Sequence, residues 1–595
     1  MARRRTALLA ASLAALGAVL GGCSTRTNVA ATGNSPALYT HVYLTAQAVW
    51  FNASATAGPD DGGWVKFTPS TPVTVDLVAD SGGNFVNLAT DLKLTPGSYS
   101  QVRFIAVDAS TPLTVSAQTL GALYNMEADF VDGAGVTHQL PLELLNPDKG
   151  LGIQASLSVP IGNIGAAFGA VSSPATTTPI PTTGSTTVTT TRTSTTPTAE
   201  FALTFDGTRD LTAFSYGGAS GVLLSSHVSA YDLSHSGGIQ GQLTLTNLTG
   251  LTSANGTPGL EVSAESLSAD GTRHFVVARA PVASDGSFTL YPLAANSSNN
   301  TSYDLVIHGP GIATIIIRNI LIPATASQAV STTGTGTTGT TTNPDTSPIT
   351  PANLVSVGTL IPRAASTYAT NITTALGAPL PAGAEVAFYQ TLPSSGEVPY
   401  VIDAAPIDPF NQLLANAQSL STGTVDSGTY VSSGATITVV SAAPAEGAGT
   451  YQVAASAPLY ADGLLGITVA ASTTSGVTTA GPVAVGTLAL AAGNSAASVA
   501  ASVKPASAGK YDHGELMLSQ NGQLIASAPL DAALTAGGGT VQLAGVPGGT
   551  PTSVYYVSVR AWNSSDPSGT LTRQWYPDAV DLRSTASANV QLSIN

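Results

Sequence analysis

Cysteine is almost absent from this chain of 595 residues; one occurs, at position 23. No disulfide can therefore form within a monomer. Charge is scarce as well: Asp, Glu, Lys and Arg make up 9% of the chain, and the net charge is −15. Beyond Arg3–Arg5 there is no cluster of Lys and Arg. That argues against nucleic acid as a partner, because phosphate contacts need grouped cations. After Leu20 no apolar run reaches the length of a spanning helix. Helical periodicity is nearly missing too. Its best instance is Phe410 to Leu420, where Phe410, Leu413, Leu414 and Ala417 share a face, with Asp408 as a cap and Pro409 in the first turn.

Patterns that carry chemistry are also wanting. No G-x-S-x-G elbow or H-E-x-x-H motif occurs, and Gly537–Gly539 lacks the Lys-Ser/Thr of a phosphate loop. Ser507-x-x-Lys510 stands without companion motifs. The seven histidines show no metal-ligand spacing. Asp60, Asp61, Asp270 and Asp285 sit in turns without the alternating carboxylates that wrap calcium. The expectation is a non-catalytic protein with no metal and no cofactor.

What is present begins at the N-terminus. Arg3–Arg5 precede an apolar run from Thr6 to Leu20, then Leu20-Gly21-Gly22-Cys23. A basic segment, a short apolar segment and small residues form a secretory signal peptide over 1–22. The last four residues look like a bacterial lipobox, which implies cleavage before Cys23 and acylation of its thiol. Each buried methylene contributes about 0.8 kcal/mol, and two or more chains anchor stably. The membrane, reached through acyl chains on Cys23, is the expected partner. Ser24 after the cysteine favours the outer membrane, on its periplasmic or outer face.

Hydrophobic residues reach 43%, so the chain can build cores. Short β-branched and aromatic runs alternate along it, bounded by Gly, Pro, Asn and Asp. His41 to Phe51 would put Val42, Leu44, Ala46, Ala48 and Trp50 on one face. Tyr99 to Val107 alternates Val102, Phe104 and Ala106 against Gln101 and Arg103. Ile315-Ile316-Ile317 suits a strand buried on both faces. Ser553 to Trp562 aligns Tyr555, Val557, Val559 and Ala561. The fold class is all-β: serial β-sandwiches, immunoglobulin-like or transthyretin-like, joined by Thr/Pro-rich linkers. Two low-complexity stretches lack the bulky side chains of a core: 172–197 and 324–351. The expected organisation is a lipidated tether over 23–38, a sandwich over 39–235 with a disordered insertion at 172–197, a sandwich over 236–323, a disordered linker over 324–351, and sandwiches over 352–490 and 491–595.

Gly63-Trp64-Val65, Val75-Asp76-Leu77, Leu94-Thr-Pro-Gly97-Ser-Tyr99-Ser-Gln-Val-Arg103-Phe104, Gly152-Ile153 and Phe205-Asp206 carry a resemblance. The segment from about Tyr39 to Tyr231 resembles a bacterial lipoprotein family known as domain of unknown function 4382. Thr204 departs from the acidic residue usual there before the Phe-Asp pair. The resemblance implies no activity. Gly238-Ile239, Pro258-Gly259-Leu260, Asp285-Gly286-Ser-Phe288 and Tyr303-Asp-Leu305 make residues 236–323 resemble a carboxypeptidase-regulatory-like sandwich, a spacer or binding fold that fixes no ligand.

Two further expectations concern side chains. Trp50 should pack in a core, while Trp562 and Trp575-Tyr576 are candidates for exposed aromatics. Arg103 lies in a strand, on the face of Tyr99, Ile105 and Val107. A buried Arg must reach water or a carboxylate. Asp76 and Asp206 are the strand-embedded acids expected to pair with it as a structural ion pair. The function implied is a lipid-anchored envelope protein presenting binding or adhesive sandwiches, with a glycan or protein ligand left open. The alternative is a carbohydrate-binding or carbohydrate-processing accessory with a site on the C-terminal sandwiches.

Overall fold

The structure is a computed structural model. It describes residues 25–34, 39–131, 136–160, 198–216, 219–225, 227–245, 260–268, 271–295, 302–309, 312–323, 351, 353–363, 367–376, 385–390, 398–406, 413–421, 425–430, 439–441, 448–456, 460–461, 463–470, 473–474, 477–478, 484–488, 491–492, 497–566 and 572–595. The signal peptide, Cys23, the 172–197 insertion and residues 324–350 of the expected linker lie outside the described residues. Among the described residues nearly everything is strand. The helices are short: Val115–Thr119, Gly207–Asp210 and Asp531–Thr535, with a 3-10 turn at Leu233–His235. None is long and apolar enough to cross a membrane.

Thr25–Asn34 is the first strand, and it is not a tether. It lies inside a four-stranded sheet, parallel to Thr198–Asp206 and antiparallel to Val86–Leu94. Val29, Ala30 and Ala31 are fully buried there. The sequence TRTNVAATGN hides this role, because small and polar residues blur the alternation that marks a half-buried strand. A nine-stranded sheet covers the other side of the core, centred on the 14-residue strand Tyr39–Asn52. Phe51 meets Phe201 across the core, and Phe104 meets Phe205 edge-on at 5.2 Å.

A bulge reshapes the long strand. Val42, Leu44 and Ala46 face the core, then the pairing with Gly97–Ala106 slips between Ala46 and Ala48. An extra residue reverses the alternation. Val49 and Phe51 turn inward instead, and Trp50 turns out. Trp50 is therefore half-buried outside the core, with Lys66 Nζ 3.8 Å from its ring centre.

Four sandwiches share one arrangement. In each, the first strand lies between an antiparallel neighbour and a parallel late strand. Ser236–Leu243 takes Ser287–Ala294 and Leu354–Leu360. Thr367–Leu376 takes Leu413–Ser421 and Ala484–Leu488. Ala497–Pro505 takes Gly539–Val546 and Ser587–Ile594. Two expectations change here. Leu354–Leu360 closes the second sandwich, so that unit runs past the 324–351 stretch to about 363 rather than ending at 323. The segment expected to be helical forms the strand Leu413–Ser421, in register with Thr367–Leu376 from Leu413 to Ser421. Tertiary pairing outweighs a weak helical period.

The second and third units are stitched together. Thr314–Ile320 pairs in parallel with Val425–Thr429. Ile315 and Ile317 enter the core of the second sandwich, while Ile316 packs on the other face with Val306, Tyr400 and Val425. Burial on both faces explains the triple isoleucine. A protease cut within 324–350 should accordingly leave the chain associated. Two bands on a denaturing gel should elute as one species of unchanged size under native conditions. Separation into two particles would show that Leu354–Leu360 does not hold the cut halves together.

Candidate functional site

The motif around Arg103 places its charge at a joint between the first and fourth sandwiches. Val102 and Phe104 point into the core, so Arg103 points out of it. Tyr99, expected on the face of Arg103, turns into the core across a second irregularity between Tyr99 and Gln101. Arg103 is nevertheless only 1% exposed, because the fourth sandwich covers it. Its Nη1 donates to the Lys149 carbonyl at 2.7 Å, and its Nη2 donates to Asn521 Oδ1 at 2.6 Å. Burial lowers its pKa to about 10. The expected ion pair with Asp76 or Asp206 is not formed. Its partners are a carbonyl and an amide oxygen, and the amide comes from a residue 418 positions away.

Asn521-Gly522 is the tip of the hairpin joining His513–Gln520 to Gln523–Pro529. Both residues have positive φ, 54° and 86°, as the Asn-Gly turn chemistry requires. The tip enters a recess floored by glycine. Gly152 N donates to the Asn521 carbonyl at 2.9 Å. A Cβ on Gly152 would stand 2.5 Å from Asn521 Oδ1. Larger residues at 152 would exclude the tip.

Around the tip, polar groups from both sandwiches interlock. Lys149 Nζ lies 2.6 Å from Asp60 Oδ1, and the Tyr556 hydroxyl donates to Asp60 Oδ2 at 2.6 Å. Burial would raise the Asp60 carboxyl, but these two hydrogen bonds hold it below its usual value. Burial and the neighbouring Asp60 push the Tyr556 hydroxyl up. Arg573 meets Glu143 at 2.7 Å, and Arg583 meets Asp61 at 3.3 Å. Trp575 Nε1 donates to Asp148 at 3.1 Å, and Asn146 Nδ2 donates to the Tyr576 carbonyl at 3.2 Å. Leu145, Leu223, Met517 and Leu524 add an apolar patch. The cavity beside them, lined by Glu143, Met517 and Arg573, measures about 20 Å³. That is room for about one water and no substrate. The joint is built to hold two domains together.

The other residues singled out from the sequence lie elsewhere. Asp76 is 5% exposed and shapes its own turn. Its Oδ2 lies 2.7 Å from His41 Nδ1, and its Oδ1 accepts from the Val42 and Val78 amides. Asp206 ends the Thr198–Asp206 strand opposite Asn34, and its charge acts on Arg209. Trp562 is 3% exposed, against the expectation of an exposed aromatic, and Trp575 is engaged at the joint. Among the described residues no group of three His, Cys, Asp or Glu could hold a metal ion.

Sequence reasoning passed over one buried pair. Glu515 and Arg560 face each other across paired strands of the fourth sandwich at 2.6 Å, each side chain 2% exposed or less. The signal was there, as one acid and one base each flanked by apolar residues in facing strands. It also passed over Glu265, which is fully buried and accepts from the Val401 amide at 3.0 Å at the junction of the second and third sandwiches. Burial pushes its pKa up to about 7, with His274 and Arg279 opposing. A carboxyl raised from 4.5 keeps its proton in the folded chain after the unfolded chain has lost it. Its stabilising contribution is complete below pH 4.5 and disappears as pH rises through about 7. Thermal stability should thus fall across that window by the equivalent of ~3 kcal/mol. Glu265→Gln should flatten the slope, as followed by calorimetry from pH 4.5 to 8. Glu127, also raised to about 7, and Asp210, raised to about 6, supply the rest of the slope, and a slope wholly unchanged in the variant would show that Glu265 does not titrate in this window.

The architecture defines a tandem β-sandwich protein. Its first sandwich carries a recognised unit: residues 26–149 match the family described as Domain of unknown function (DUF4382). The match begins inside the strand that the sequence pattern had left out. No curated protein matches the chain. Solved structures similar to it include the Bacillus anthracis TIE protein, at 8% identity over 94% of this chain and 69% of that one, with a TM-score of 0.13. The major pilin from Streptococcus pyogenes aligns at 9% identity over 37% of this chain and 97% of its own, with a TM-score of 0.13. BcpA, the major pilin subunit of Bacillus cereus, aligns at 10% identity over 60% of this chain and 99% of its own, with a TM-score of 0.11. These superpositions are loose, and the fold assignment rests on the strand pairing itself.

Proposed function

We propose that the protein is a non-catalytic, lipid-anchored component of a bacterial cell envelope, whose sandwiches form a jointed support for binding or adhesive surfaces. The observation that carries this reading is the fate of the Arg103 motif. The Arg103 stretch, part of the resemblance, is spent on an inter-domain joint, and the cavity beside that joint has room for about one water. The lipobox at Leu20–Cys23 supplies the anchor, and Ser24 favours the outer membrane. Thr25 begins the first buried strand, which leaves one residue between the acylated cysteine and the sheet. The first sandwich would sit against the lipid headgroups, and any reach away from the membrane would come from the later units. Cys23→Ser should abolish acylation and move the protein from membrane pellets to soluble fractions. A variant still processed and pelleted like the parent would remove the basis for this reading.

A further inference from the structure

The joint between the second and third sandwiches holds two groups whose bonding depends on a proton. Val262 and Ala264 enter the core of the second sandwich, so Ser263 faces away from it. Glu265 meets the third sandwich on that side. Its Oε1 accepts from the Ser263 hydroxyl at 3.1 Å, and its Oε2 accepts from the Val401 amide at 3.0 Å. His274 is 7% exposed, and its ring stacks on Tyr400 of the third sandwich at 3.9 Å. Both ring nitrogens face acceptors: Nδ1 lies 3.2 Å from the Pro399 carbonyl, and Nε2 lies 3.5 Å from Asp304 Oδ2. A neutral imidazole has one N–H and serves only one of them, whereas imidazolium serves both. Asp304 also accepts from the Tyr400 hydroxyl at 2.8 Å. Side chains of the second sandwich thus grip Pro399, Tyr400 and Val401 of the third.

The surrounding charges set the direction of the response. His274 and Arg279 act on Glu265 from the strand His274–Pro281, and Asp304 comes from the strand Tyr303–His308. Glu261, on the strand of Glu265, meets Arg279 at 3.3 Å, and Glu385 of the third sandwich meets Arg209 at 2.9 Å. Burial alone would lower the His274 pKa, but Asp304, Glu265 and the Pro399 carbonyl raise it above 6.5. Glu265 is raised by its burial from 4.5 to about 7. The two shifts act in the same sense. Each group favours the closed joint while protonated, and that support is lost as pH rises through its raised value. Removal of both protons leaves the Glu265 and Asp304 carboxylates facing one neutral ring, and opening the joint lets water reach them.

We propose that this joint is a proton-controlled hinge. It is closed while His274 is imidazolium and Glu265 carries its proton, and the strand Tyr400–Pro406 lifts from the second sandwich once both protons have gone. The parallel pairing of Thr314–Ile320 with Val425–Thr429 keeps the two units connected, since its backbone bonds do not titrate. The joint between the first and fourth sandwiches, closed by Lys149, Arg573 and Arg583 on carboxylates, stays shut over the same range. The hinge does not depend on the anchor or on envelope location.

The test is hydrogen exchange of the full chain at pH 5.5, 7 and 8.5, corrected for the intrinsic pH dependence of exchange. It is read at the amides of Val401 and His274, whose bonds to Glu265 and to the Pro399 carbonyl cross the joint. Their protection should fall roughly thirtyfold from pH 5.5 to 8.5, the scale set by the Glu265 shift, while the strands Ser236–Leu243 and Val554–Trp562 keep theirs. Glu265→Gln keeps an acceptor for Val401 and cannot ionise, so it should remove most of the pH response. His274→Asn should weaken protection of the Val401 amide already at pH 5.5. Where Glu265→Gln proves unfolded by circular dichroism, the parent and His274→Asn decide. Protection across the joint that does not change with pH overturns the proposal. So does an equal loss in Ser236–Leu243, which would be unfolding of the sandwich, or a full parental pH response in Glu265→Gln.

Discussion

Replacing Glu515 with alanine should destabilise the fourth sandwich by about 3–5 kcal/mol, because it strands the Arg560 guanidinium in an apolar interior. Both partners are essentially without solvent contact, and they face each other across adjacent strands. The measurement is urea unfolding of the full chain, followed by peptide-resolved hydrogen exchange over Val554–Trp562. Exchange there should accelerate while the first sandwich keeps its protection. The pair is expensive to break but need not be better than an apolar pair, since desolvating two charges offsets much of their attraction. A Glu515→Met, Arg560→Met double variant should therefore recover most of the loss. A single variant of near-parental stability would mean that Arg560 finds water or another acid.

The second large effect is expected at Gly152. Gly152→Val puts carbon where the Asn521 side chain lies, and the three nearest atoms to a new Cβ all belong to that side chain. The first sandwich should fold, but the hairpin tip can no longer seat. Overpacking of this kind costs about 1–3 kcal/mol, enough to unseat a joint whose surface ion pairs each contribute little. The result to look for is new protease sensitivity at Gln520–Gln523 and a larger hydrodynamic radius. Arg103→Met should give the same phenotype by a different route, leaving the Lys149 carbonyl and Asn521 Oδ1 without their donor. Failure of both variants to alter the radius would show that the tip does not hold the two sandwiches together.

These effects trace what local sequence does and does not encode. Tyr555, Val557, Val559 and Ala561 could be assigned to a core from alternation alone, and all four are buried in one. Alternation misled at Trp50, because one inserted residue at the Ala46–Ala48 bulge exchanges the faces and leaves no compositional mark. Leu354–Leu360 was attributed to the wrong unit because its partner, Ser236–Leu243, lies more than a hundred residues earlier in the chain, and parallel pairing needs no turn to announce it. The burial of Arg103 could be argued from its apolar flanks. Its partner could not, since the choice between Asp76, Asp206 and Asn521 is made by how two separately folded sandwiches dock. The Asn521-Gly522 pair was legible as a turn. That the turn is also a plug was visible only once Gly152 lay opposite it.

The parallel pairing of early and late strands has a mechanical consequence. In the second, third and fourth sandwiches the chain enters at the start of one strand and leaves at the end of its parallel neighbour. In the fourth that pairing runs in register from Ser498 with Ser587 to Pro505 with Ile594. A pull on the two ends of such a unit drags these strands past each other lengthwise. The ladder between them is then loaded in shear, so its hydrogen bonds must give way together, where a hairpin pulled at its open end would surrender them one by one. A chain of such units would resist stretching at every link, and the force it could bear would depend on the register of a single strand pair in each.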